Sequence, residues 1–499
     1  QKTPPEPTVL QGEIQGNNAS VGHRVRAGGL PAPTGDVQRR KVLIIGGGIA
    51  GLSAAWRLAE AGVDGVEVLE LGEQAGGTSR AGRNDVSAFP WGAHYLPVPN
   101  PESRLVRRLC RDMGLVNERG VFDARQLVAQ PEDRVFFRGK WYPGLYLGVG
   151  SAQQDKDERH RFDGMVGSLR KKTGMDGLPL FAIPVALSSN DPETRSLDTI
   201  TAASFLDQQK LVGERIRAYV RYGCRDDYGA DLDQVSAWAM LHYFCGRRPI
   251  EQPETKGTQF LTWPEGNAHI VAWLRDKASA LQTGMAAYKV QADGQVQVLD
   301  AEKNRTVTYQ AEQVICATPN HVTHAITQGG RARVLDQAPW LVVNLTLRER
   351  PGEVAWNNVI HDDTSVGFVD AGHQRRDRHH ATVWTWYEPM LPTQRGALLS
   401  MSWQTAADRA LDNIRRCFPR IRDVVQRADV WRWGHGTVIP KPGLIHGREL
   451  AEARAPMGRV HFAHTDLSGL PLFEEAQYRG VLAAEASMKA LGVPFKRWA

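Results

Sequence analysis

Cysteine is scarce in this chain and shows no metal-binding spacing. Five cysteines are scattered over 499 residues, and none of them forms a C-x-x-C pair. Zinc ribbons and small disulfide-stapled domains need paired cysteines at short spacing. Both classes are therefore excluded, and we expect inert thiols. The cysteines are Cys110, Cys224, Cys245, Cys316 and Cys417.

Long apolar runs and dense stretches of one charge are also missing. No segment approaches the ~20 apolar residues of a membrane-spanning helix, since the best candidate, residues 42–55, is broken by four glycines. The net charge of +6 is spread over 61 basic and 55 acidic residues. It forms no stripe that could neutralise phosphates. The sequence therefore predicts a soluble protein without a transmembrane segment that does not bind nucleic acid.

Residues 1–39 are rich in Pro, Gly, Asn and Gln and show little periodicity. They predict an extended lead-in. The sequence begins with Gln1, which is typical either of a trimmed sequence or of a protein whose export signal has been removed. Export to the periplasm is therefore one expectation, and a cytoplasmic location is the other.

Glycine is abundant, and it is concentrated between an apolar run, KVLII, and an alanine-rich helix. Gly46, Gly48 and Gly51 fit G-x-G-x-x-G, and a second strand, VEVLE, ends in Glu70 about 20 residues later, as the dinucleotide fingerprint requires. The glycines allow a tight turn, close approach of a diphosphate and close helix–strand packing. A helix N-terminus favours the phosphates. Glu70 would bind both ribose hydroxyls and repel a 2′-phosphate, which leaves FAD and NAD open.

Further along, LGEQAGG after Glu70 resembles the FAD-containing amine oxidase superfamily. The resemblance extends to WPEGNAHIVAWL, to AEQVICATP and to GRVHFAHTDLSG with the helix that follows it. It implies an α/β fold with a discontinuous Rossmann-type FAD-binding domain and a second, mixed α+β substrate domain. The predicted division is a lead-in at 1–39, an FAD-binding domain at 40–100, 264–330 and 455–499, and a substrate-binding domain at 101–263 and 331–454.

The resemblance also implies which residues bind FAD. Asp466 matches the acid that contacts the ribityl and diphosphate region, and the amides from Phe473 to Ala476 match a helix start that stabilises negative charge at the flavin N1/O2 edge. The predicted cofactor-binding residues are Gly46, Gly48, Ile49, Ala50, Gly51, Glu70, Gly76, Gly77, Thr78, Arg80, Trp91, Gly92, Ala317, Thr465, Asp466, Phe473, Glu474 and Ala476.

Three departures from the family pattern carry predictions. Thr78 stands where relatives have arginine, with Arg80 or Arg83 as replacements, and His464 crowds a position that is usually glycine. The lysine that many members hold near flavin N5 has no counterpart in residues 338–347. Since that lysine assists the reaction with oxygen in relatives, we expect a dehydrogenase that passes electrons to a protein or quinone acceptor.

A flavin accepts hydride at N5 from a carbon held above its ring, so aromatic walls are expected around the substrate. Aromatic faces attract an amine cation, and a histidine could remove its proton. The predicted catalytic residues are His94, Tyr95, Trp431, Trp433 and His435. Trp384 and Trp386 are either a further wall or sheet core.

These observations favour FAD-dependent oxidation of the C–N bond of a small amine. One alternative is a desaturase or isomerase of an apolar, isoprenoid-like substrate, and another is a non-catalytic binding protein on the same scaffold. No metal site is predicted, because RRDRHH at residues 375–380 lacks ligand spacing and no H-E-x-x-H or G-x-S-x-G motif is present.

Periodicity predicts helices at residues 102–114, 201–213, 231–244 and 263–274. It predicts a loop-rich, charged insertion at 152–172. Alternation at residues 286–319 predicts a three-stranded meander followed by a separate buried strand at 313–317.

Overall fold

Strands and helices alternate along most of the computed structural model, which describes residues 10–16, 19–128, 130–248, 260–330, 335–374 and 381–498. The strands are β1 Ile14–Gln15, β2 Gln38–Ile45, β3 Val66–Leu69, β4 Ala81–Arg83, β5 Ala88–Pro90, β6 Leu96–Pro97, β7 Asp133–Phe137, β8 Lys140–Pro143, β9 Phe260–Leu261, β10 Leu281–Gln282, β11 Met285–Val290, β12 Gln295–Asp300, β13 Arg305–Cys316, β14 Gln337–Leu347, β15 Asn357–Ile360, β16 Gly367–Asp370, β17 Thr382–Pro389, β18 Val425–Val438 and β19 Val460–Phe462. The helices are α1 Ala19–Ala27, α2 Ile49–Glu60, α3 Arg104–Asp112, α4 Gln153–Lys171, α5 Pro192–Ser196, α6 Ala202–Gln208, α7 Glu214–Tyr228, α8 Ala237–Cys245, α9 Ala268–Arg275, α10 Asn320–Ile326, α11 Arg395–Ser400, α12 Trp403–Arg415, α13 Ile421–Val424, α14 Arg448–Ala453 and α15 Phe473–Ala490.

The first sheet carries the glycine-rich loop. Its order is β10-β3-β2-β13-β12-β11, with β19 also paired to β13. Strands β2, β3 and β13 are parallel, and Ile45 at the end of β2 lies between Leu69 and Cys316. Helix α2 connects β2 to β3, which makes the βαβ unit of a dinucleotide-binding fold. The sheet is built from residues 38–69, 281–316 and 460–462, three separated parts of the chain.

The sequence analysis divided the last strand of the predicted meander into two. Strand β13 runs without interruption for 12 residues, so its end is not a separate buried strand. Its first half pairs antiparallel with β12, and its second half pairs parallel with β2 and β19. Pairing with β12 runs to Gln310 and pairing with β2 begins at Tyr309, so the two overlap and no turn is needed between them.

The second sheet has eight strands in the order β1-β18-β14-β17-β16-β15-β7-β8. All 11 residues of its central strand β14 are buried. Strand β1, from the lead-in, pairs parallel with β18 through Ile14 and Val430. The lead-in therefore contributes a strand and, in α1, a helix, neither of which its composition predicts.

Trp384 and Trp386 belong to the core of this second sheet. They are 0% and 1% exposed, and Trp384 stacks on Phe368 with ring centroids 4.4 Å apart. The indole N–H of Trp386 donates to Asn413 Oδ1 over 2.9 Å. The core interpretation is therefore confirmed, and the interpretation of these two rings as a substrate wall is wrong.

The prediction of a loop-rich insertion at 152–172 is wrong, since these residues form the 19-residue helix α4. The Asp155 carboxylate accepts the backbone N–H of Ala152 at the helix start over 2.9 Å. Arg159 and Asp163 form an i,i+4 ion pair of 2.7 Å. Phe162 and Val166 are buried in an apolar core cluster, so packing on one face stabilises a helix whose other positions are polar.

The four helices that periodicity predicts are present as α3, α6, α8 and α9, and each begins later than predicted. Side-chain caps set two of these starts. Thr201 Oγ1 accepts the backbone N–H of Ser204 over 3.1 Å, and Ser236 Oγ accepts that of Ala239 over 3.2 Å. Such caps satisfy the unpaired amides of the first turn. The described residues include no helix that is both long and apolar enough to cross a membrane.

A substitution at Gly164 tests whether residues 153–171 form a helix. Gly164 lies inside the helix, and a Cβ added there would meet no atom within 4 Å. We expect Gly164→Ala to raise the free energy of unfolding by roughly 0.5–1 kcal/mol, because glycine costs more backbone entropy in a helix than alanine. Urea unfolding followed by circular dichroism measures the change. A loop at this position would show no gain.

Candidate active site

The glycine-rich loop adopts the geometry that its sequence requires. Gly46 has φ of +106°, and a Cβ there would lie 2.5 Å from the carbonyl oxygen of Ala317. A Cβ at Gly51 would lie 1.9 Å from the carbonyl oxygen of Gly46. Only glycine satisfies both positions without displacing the backbone. The loop is thereby held against the ends of β2 and β13.

The start of α2 is open to a ligand. Gly48 is its N-cap residue, and no side chain of the described part of the chain caps it. A Cβ added at Gly48 would find a single atom within 4 Å, Gly77 Cα at 3.9 Å. A diphosphate could therefore approach the backbone at Gly48, and the dipole of the helix that begins at Ile49 would favour its charge.

Glu70 lies directly after β3 and is 7% exposed. Its Oε1 accepts the backbone N–H of Gly72 over 2.7 Å and an N–H of Arg80 over 2.6 Å. Its Oε2 accepts the backbone N–H of Gly47 over 2.8 Å. The predicted ribose-binding acid thus lies beside the glycine-rich loop and is tied to it. The sequence indicated the acid but not its partner.

The Gly-Gly pair connects this loop to the next predicted segment. Gly76 N donates to Gly47 O over 2.7 Å, and Thr78 O accepts the backbone N–H of Ala93 over 2.9 Å. A Cβ at Gly92 would lie 2.4 Å from Thr78 O. The sequence-predicted residues from Gly46 to Gly92 are therefore in continuous contact.

Asp466 joins three segments. It is 1% exposed, and its Oδ2 accepts the backbone N–H of Asn320 over 2.8 Å and the side-chain N–H of Gln337 over 2.9 Å. Oδ1 lies 3.2 Å from His464 Nδ1. Burial by itself would raise the pKa of Asp466, but His464 and the Asn320 N–H lower it on balance. Thr465 begins the short helical turn that carries this carboxylate.

Helix α15 supplies a second N-terminus. Leu472 is its N-cap residue and provides no side-chain cap. Glu474 and Ala476, in the first turn, are buried, while Phe473 is half-buried. Burial raises the pKa of Glu474 to about 7, against the lowering effect of Arg247. The helix packs tightly on α2, because a Cβ at Gly480 would lie 2.1 Å from Ala50 O.

These features fit an adenine dinucleotide with a flavin. The open backbone at Gly48, the two uncapped helix starts and the buried acid after β3 match what a diphosphate, a ribose and an electron-rich ring edge require. The residues that would hold FAD are the predicted set from Gly46 to Gly92, with Ala317 and the start of α15.

The predicted aromatic residues form two groups. Trp91, Trp431 and Trp433 pack together. The ring centroids of Trp91 and Trp431 are 5.2 Å apart, and those of Trp431 and Trp433 are 4.8 Å apart. The indole N–H of Trp433 donates to Trp91 O over 2.7 Å. All three are at most 6% exposed and belong to one packed apolar cluster.

His94 and Tyr95 form the second group. His94 stacks on Tyr387 with centroids 5.1 Å apart, and the Tyr387 hydroxyl donates to Gly92 O over 2.9 Å. Tyr95 packs edge-on against Phe260 and Trp356. Burial lowers the pKa of His94 to about 4, so His94 is neutral at neutral pH. Burial therefore disfavours the protonated form of this ring.

His435 lies elsewhere. It stacks on His321 with centroids 3.9 Å apart, and His321 lowers the pKa of Asp466 electrostatically. The structure therefore associates His435 with the Asp466 region, whereas His94 lies among the rings around Tyr387.

A half-buried charge cluster was missed by sequence reasoning. It consists of Asp226, Asp227, Arg247 and the hydroxyls of Tyr95 and Tyr243. Arg247 lies 3.3 Å from Asp227 and 3.4 Å from the Tyr95 hydroxyl, and Tyr243 donates to Asp226 over 3.5 Å. Burial raises the pKa of both aspartates; Asp227 raises that of Asp226 further, and Arg247 lowers it. Two carboxylates therefore share one cation.

A third acid lies close to this cluster. Asp133 accepts the side-chain N–H of Asn357 over 2.9 Å, and the same amide nitrogen lies 3.0 Å from the Tyr222 hydroxyl. Burial raises the pKa of Asp133 to about 6, and Asp133 in turn raises that of Asp226. The sequence carries one signal for the cluster, since Asp227 falls seven residues after buried Val220, on the apolar stripe of α7.

No lysine of the described residues is buried. Each of them is at least partly exposed. The described residues also include no group of three or more His, Cys, Asp or Glu side chains that could hold a metal ion. The predicted non-ligating tract at residues 375–380 lies outside the described residues. All five cysteines are free, and burial raises the pKa of Cys110 to about 12, in agreement with inert thiols.

Comparison with known proteins at the sequence level concerns the first part of the chain. A family model described as an NAD(P)-binding Rossmann-like domain matches residues 44–113. The L-amino acid oxidase Lm29 of Lachesis muta is 48% identical over 77 residues, which are 15% of this chain and 14% of that protein. The L-amino-acid oxidase of Protobothrops flavoviridis is 47% identical over 77 residues, 15% of each chain. The match thus spans only about 15% of the curated relatives' length.

Solved structures match over almost the whole chain. A putrescine oxidase variant has a TM-score of 0.68 at 16% identity and covers 91% of this chain and 100% of its own. Cyclohexylamine oxidase from Brevibacterium oxydans has a TM-score of 0.65 at 17% identity and covers 92% of this chain and 100% of its own. At these identities the likeness establishes the architecture. The two-domain architecture of this chain, with its Rossmann-like first domain, is thus similar to that of putrescine oxidase and cyclohexylamine oxidase.

Proposed function

We propose that this protein is an FAD-dependent oxidoreductase that oxidises the carbon–nitrogen bond of a small amine. The observation that carries the proposal is the continuity of the site. The cofactor cradle leads from Gly46 through Gly77 to Gly92, and the rings and acids that suit a cation begin at His94 and Tyr95. Bound FAD would supply the hydride acceptor for the carbon next to nitrogen.

Charge and aromatic surface determine what the substrate can be. Asp226 and Asp227 face one arginine, so the cluster carries surplus negative charge that an ammonium would neutralise. The neighbouring rings of Tyr95 and Tyr387 add attraction for a cation. We propose that Asp226 holds the substrate ammonium and that the amine is oxidised after it has lost its proton, as the neutral species.

The two other candidate functions meet specific obstacles. An apolar, isoprenoid-like substrate would have to desolvate Asp226 and Asp227 without neutralising them, which is costly. A non-catalytic binding protein on this scaffold would not need the open start of α2 or the positioned carboxylate of Glu70. Amine oxidation is therefore the proposal that uses every feature of the site.

An anaerobic reduction screen tests the proposal. Purified protein should show the spectrum of oxidised flavin, and an aliphatic mono- or diamine should bleach it. Addition of the apolar alkene squalene serves as the contrasting probe. Colourless folded protein that takes up no FAD would contradict the proposal, and so would bleaching by the alkene and by no amine.

We further propose that oxygen is a poor electron acceptor, because no described lysine lies in the interior near the rings. We expect turnover with a quinone or a dye acceptor to exceed turnover with air by about 10-fold or more, which corresponds to roughly 1.4 kcal/mol of barrier. Stopped-flow reoxidation of amine-reduced protein measures both rates. Peroxide release at the rate of flavin reduction would contradict this expectation.

A further inference from the structure

A cleft beside helix α7 has no part in the chemistry described so far. It opens between α7 and the strands β7 and β15, and its empty volume of about 440 Å³, mouth included, is within the range of small-molecule pockets, roughly 300–1,000 Å³. Its floor is apolar and buried, so an apolar group would displace water there at a gain. The floor residues are Val135, Leu147, Ala218, Val359, Ile360 and Val366.

The cleft adjoins the residues proposed to hold the ammonium. Tyr222 lines the cleft, and its hydroxyl accepts the side-chain N–H of Asn357 over 3.0 Å. The same amide donates to Asp133 over 2.9 Å. On the sheet side, Val366 donates its backbone N–H to the carbonyl of Tyr387 over 3.1 Å. A substrate whose nitrogen lies at the charge cluster can therefore extend into the cleft.

Helix α7 sets the distance between the two places. Ala218, Tyr222 and Asp226 follow one another at intervals of four residues, so their side chains lie on one face of the helix. At a rise of about 1.5 Å per residue, Tyr222 lies roughly 6 Å and Ala218 roughly 12 Å from Asp226 along the helix axis. A phenylalkyl chain spans this distance.

The charges at the mouth of the cleft are already balanced. Three arginines line it, and each pairs with a different aspartate. The pairs are Arg215 with Asp155 at 3.4 Å, Arg221 with Asp362 at 2.7 Å and Arg225 with Asp231 at 2.8 Å. Each of these carboxylates has a cation, so a second ammonium at this end of a substrate would gain little and would meet three guanidinium groups. An uncharged group meets no such obstacle.

We propose that this cleft is the subsite for the uncharged, apolar part of the amine, and that the small side chain of Ala218 determines how large that part can be. The substrate class is then a monoamine with an aryl or bulky alkyl group, rather than a diamine. This inference rests on the proposed function for the oxidation. Binding can be tested by itself with quaternary ammonium ions, whose charge is fixed and which have no N–H proton to lose.

Calorimetry with phenethyltrimethylammonium and tetramethylammonium measures what the cleft contributes to binding. We expect the wild type to bind the phenyl compound about 10- to 100-fold more tightly, the gain from burying one aromatic ring. Ala218→Leu should remove most of this difference, because the larger side chain fills the cleft. Ala451→Leu is the matched control, since it makes the same change at an exposed position of α14. It should keep the wild-type difference.

Flavin reduction gives a second readout. We expect kcat/KM for phenethylamine to exceed that for ethylamine by about 10-fold or more, and that for butylamine to exceed that for diaminobutane by a similar factor. Leu145→Trp should reduce the preference for the phenyl group as Ala218→Leu does. Leu145 lines the cleft from a half-buried loop position, so this variant keeps the test open if Ala218→Leu does not fold.

Three results would overturn the proposal: equal binding of the two ions by the wild type, an unchanged phenyl preference in both folded cleft variants, and faster reduction by diaminobutane than by butylamine. Amines that reduce the flavin without a phenyl preference would refute the cleft and leave the proposed oxidation standing. A phenyl preference in calorimetry, together with no reduction by any amine, would refute the oxidation and leave the cleft standing.

Discussion

Asp226→Asn is expected to lower kcat/KM for amine-driven flavin reduction by about 10- to 100-fold, because a charge-assisted contact contributes about 1.5–3 kcal/mol. Asp226 is half-buried, and its carboxylate accepts the Tyr243 hydroxyl over 3.5 Å. Stopped-flow reduction by a primary amine measures the effect. An ammonium held by Asp226 would bind less well to the neutral amide of the same shape.

The control for this variant lies on the same helix. Glu214 is the first residue of α7 and is exposed, so Glu214→Gln removes one negative charge without touching the cluster. Equal losses in the two variants would show that net charge alone steers the substrate. An unchanged rate in Asp226→Asn would remove Asp226 from the substrate site.

Affinity for a cation is also expected to depend on pH in the wild type and not in Asp226→Asn. Burial raises the pKa of Asp226, and Asp227, Asp133 and Arg247 face it. A carboxylate binds a cation only when ionised, so affinity for a fixed cation such as tetramethylammonium should rise with pH through the raised pKa. We expect this rise in the wild type and its loss in Asp226→Asn. A fixed cation is needed because its own charge does not change with pH.

Gly51→Ala is expected to abolish retention of FAD during purification and to destabilise the protein. The added methyl group would lie 1.9 Å from the carbonyl oxygen of Gly46, so helix α2 must move away from the loop that binds the diphosphate. Overpacking of this kind costs about 1–3 kcal/mol, or about 10- to 100-fold in ADP affinity. Calorimetry with ADP and thermal unfolding measure the two effects.

Gly164→Ala is the matched control, since it makes the same chemical change in α4, where nothing lies within 4 Å. Its ADP affinity should equal that of the wild type. Normal ADP binding by Gly51→Ala would show that the site does not need helix α2 to lie this close to the glycine-rich loop. It would contradict the proposed geometry of the dinucleotide site.

Local sequence was sufficient for the dinucleotide cradle. Gly46, Gly48 and Gly51 are needed for reasons that involve only the backbone within a few residues and one parallel neighbour, and Glu70 follows from the length of one βαβ unit. The family resemblance of separated segments likewise predicted a discontinuous FAD-binding domain, and the first sheet is indeed built from three separated parts of the chain. These features depend on short-range geometry, which spacing in the sequence records directly.

Packing across long sequence separations decided the rest. The sequence left Trp384 and Trp386 open as wall or core, and the pairing of β14 with β17 decided between them. The choice of Arg80 over Arg83 depends on which one reaches Glu70, and α4 is a helix because Phe162 and Val166 find a core. Asp226 and Asp227 become a cluster only when α7 meets Arg247 and Tyr95. Burial and pairing are properties of neighbours in space, and the sequence does not list those neighbours.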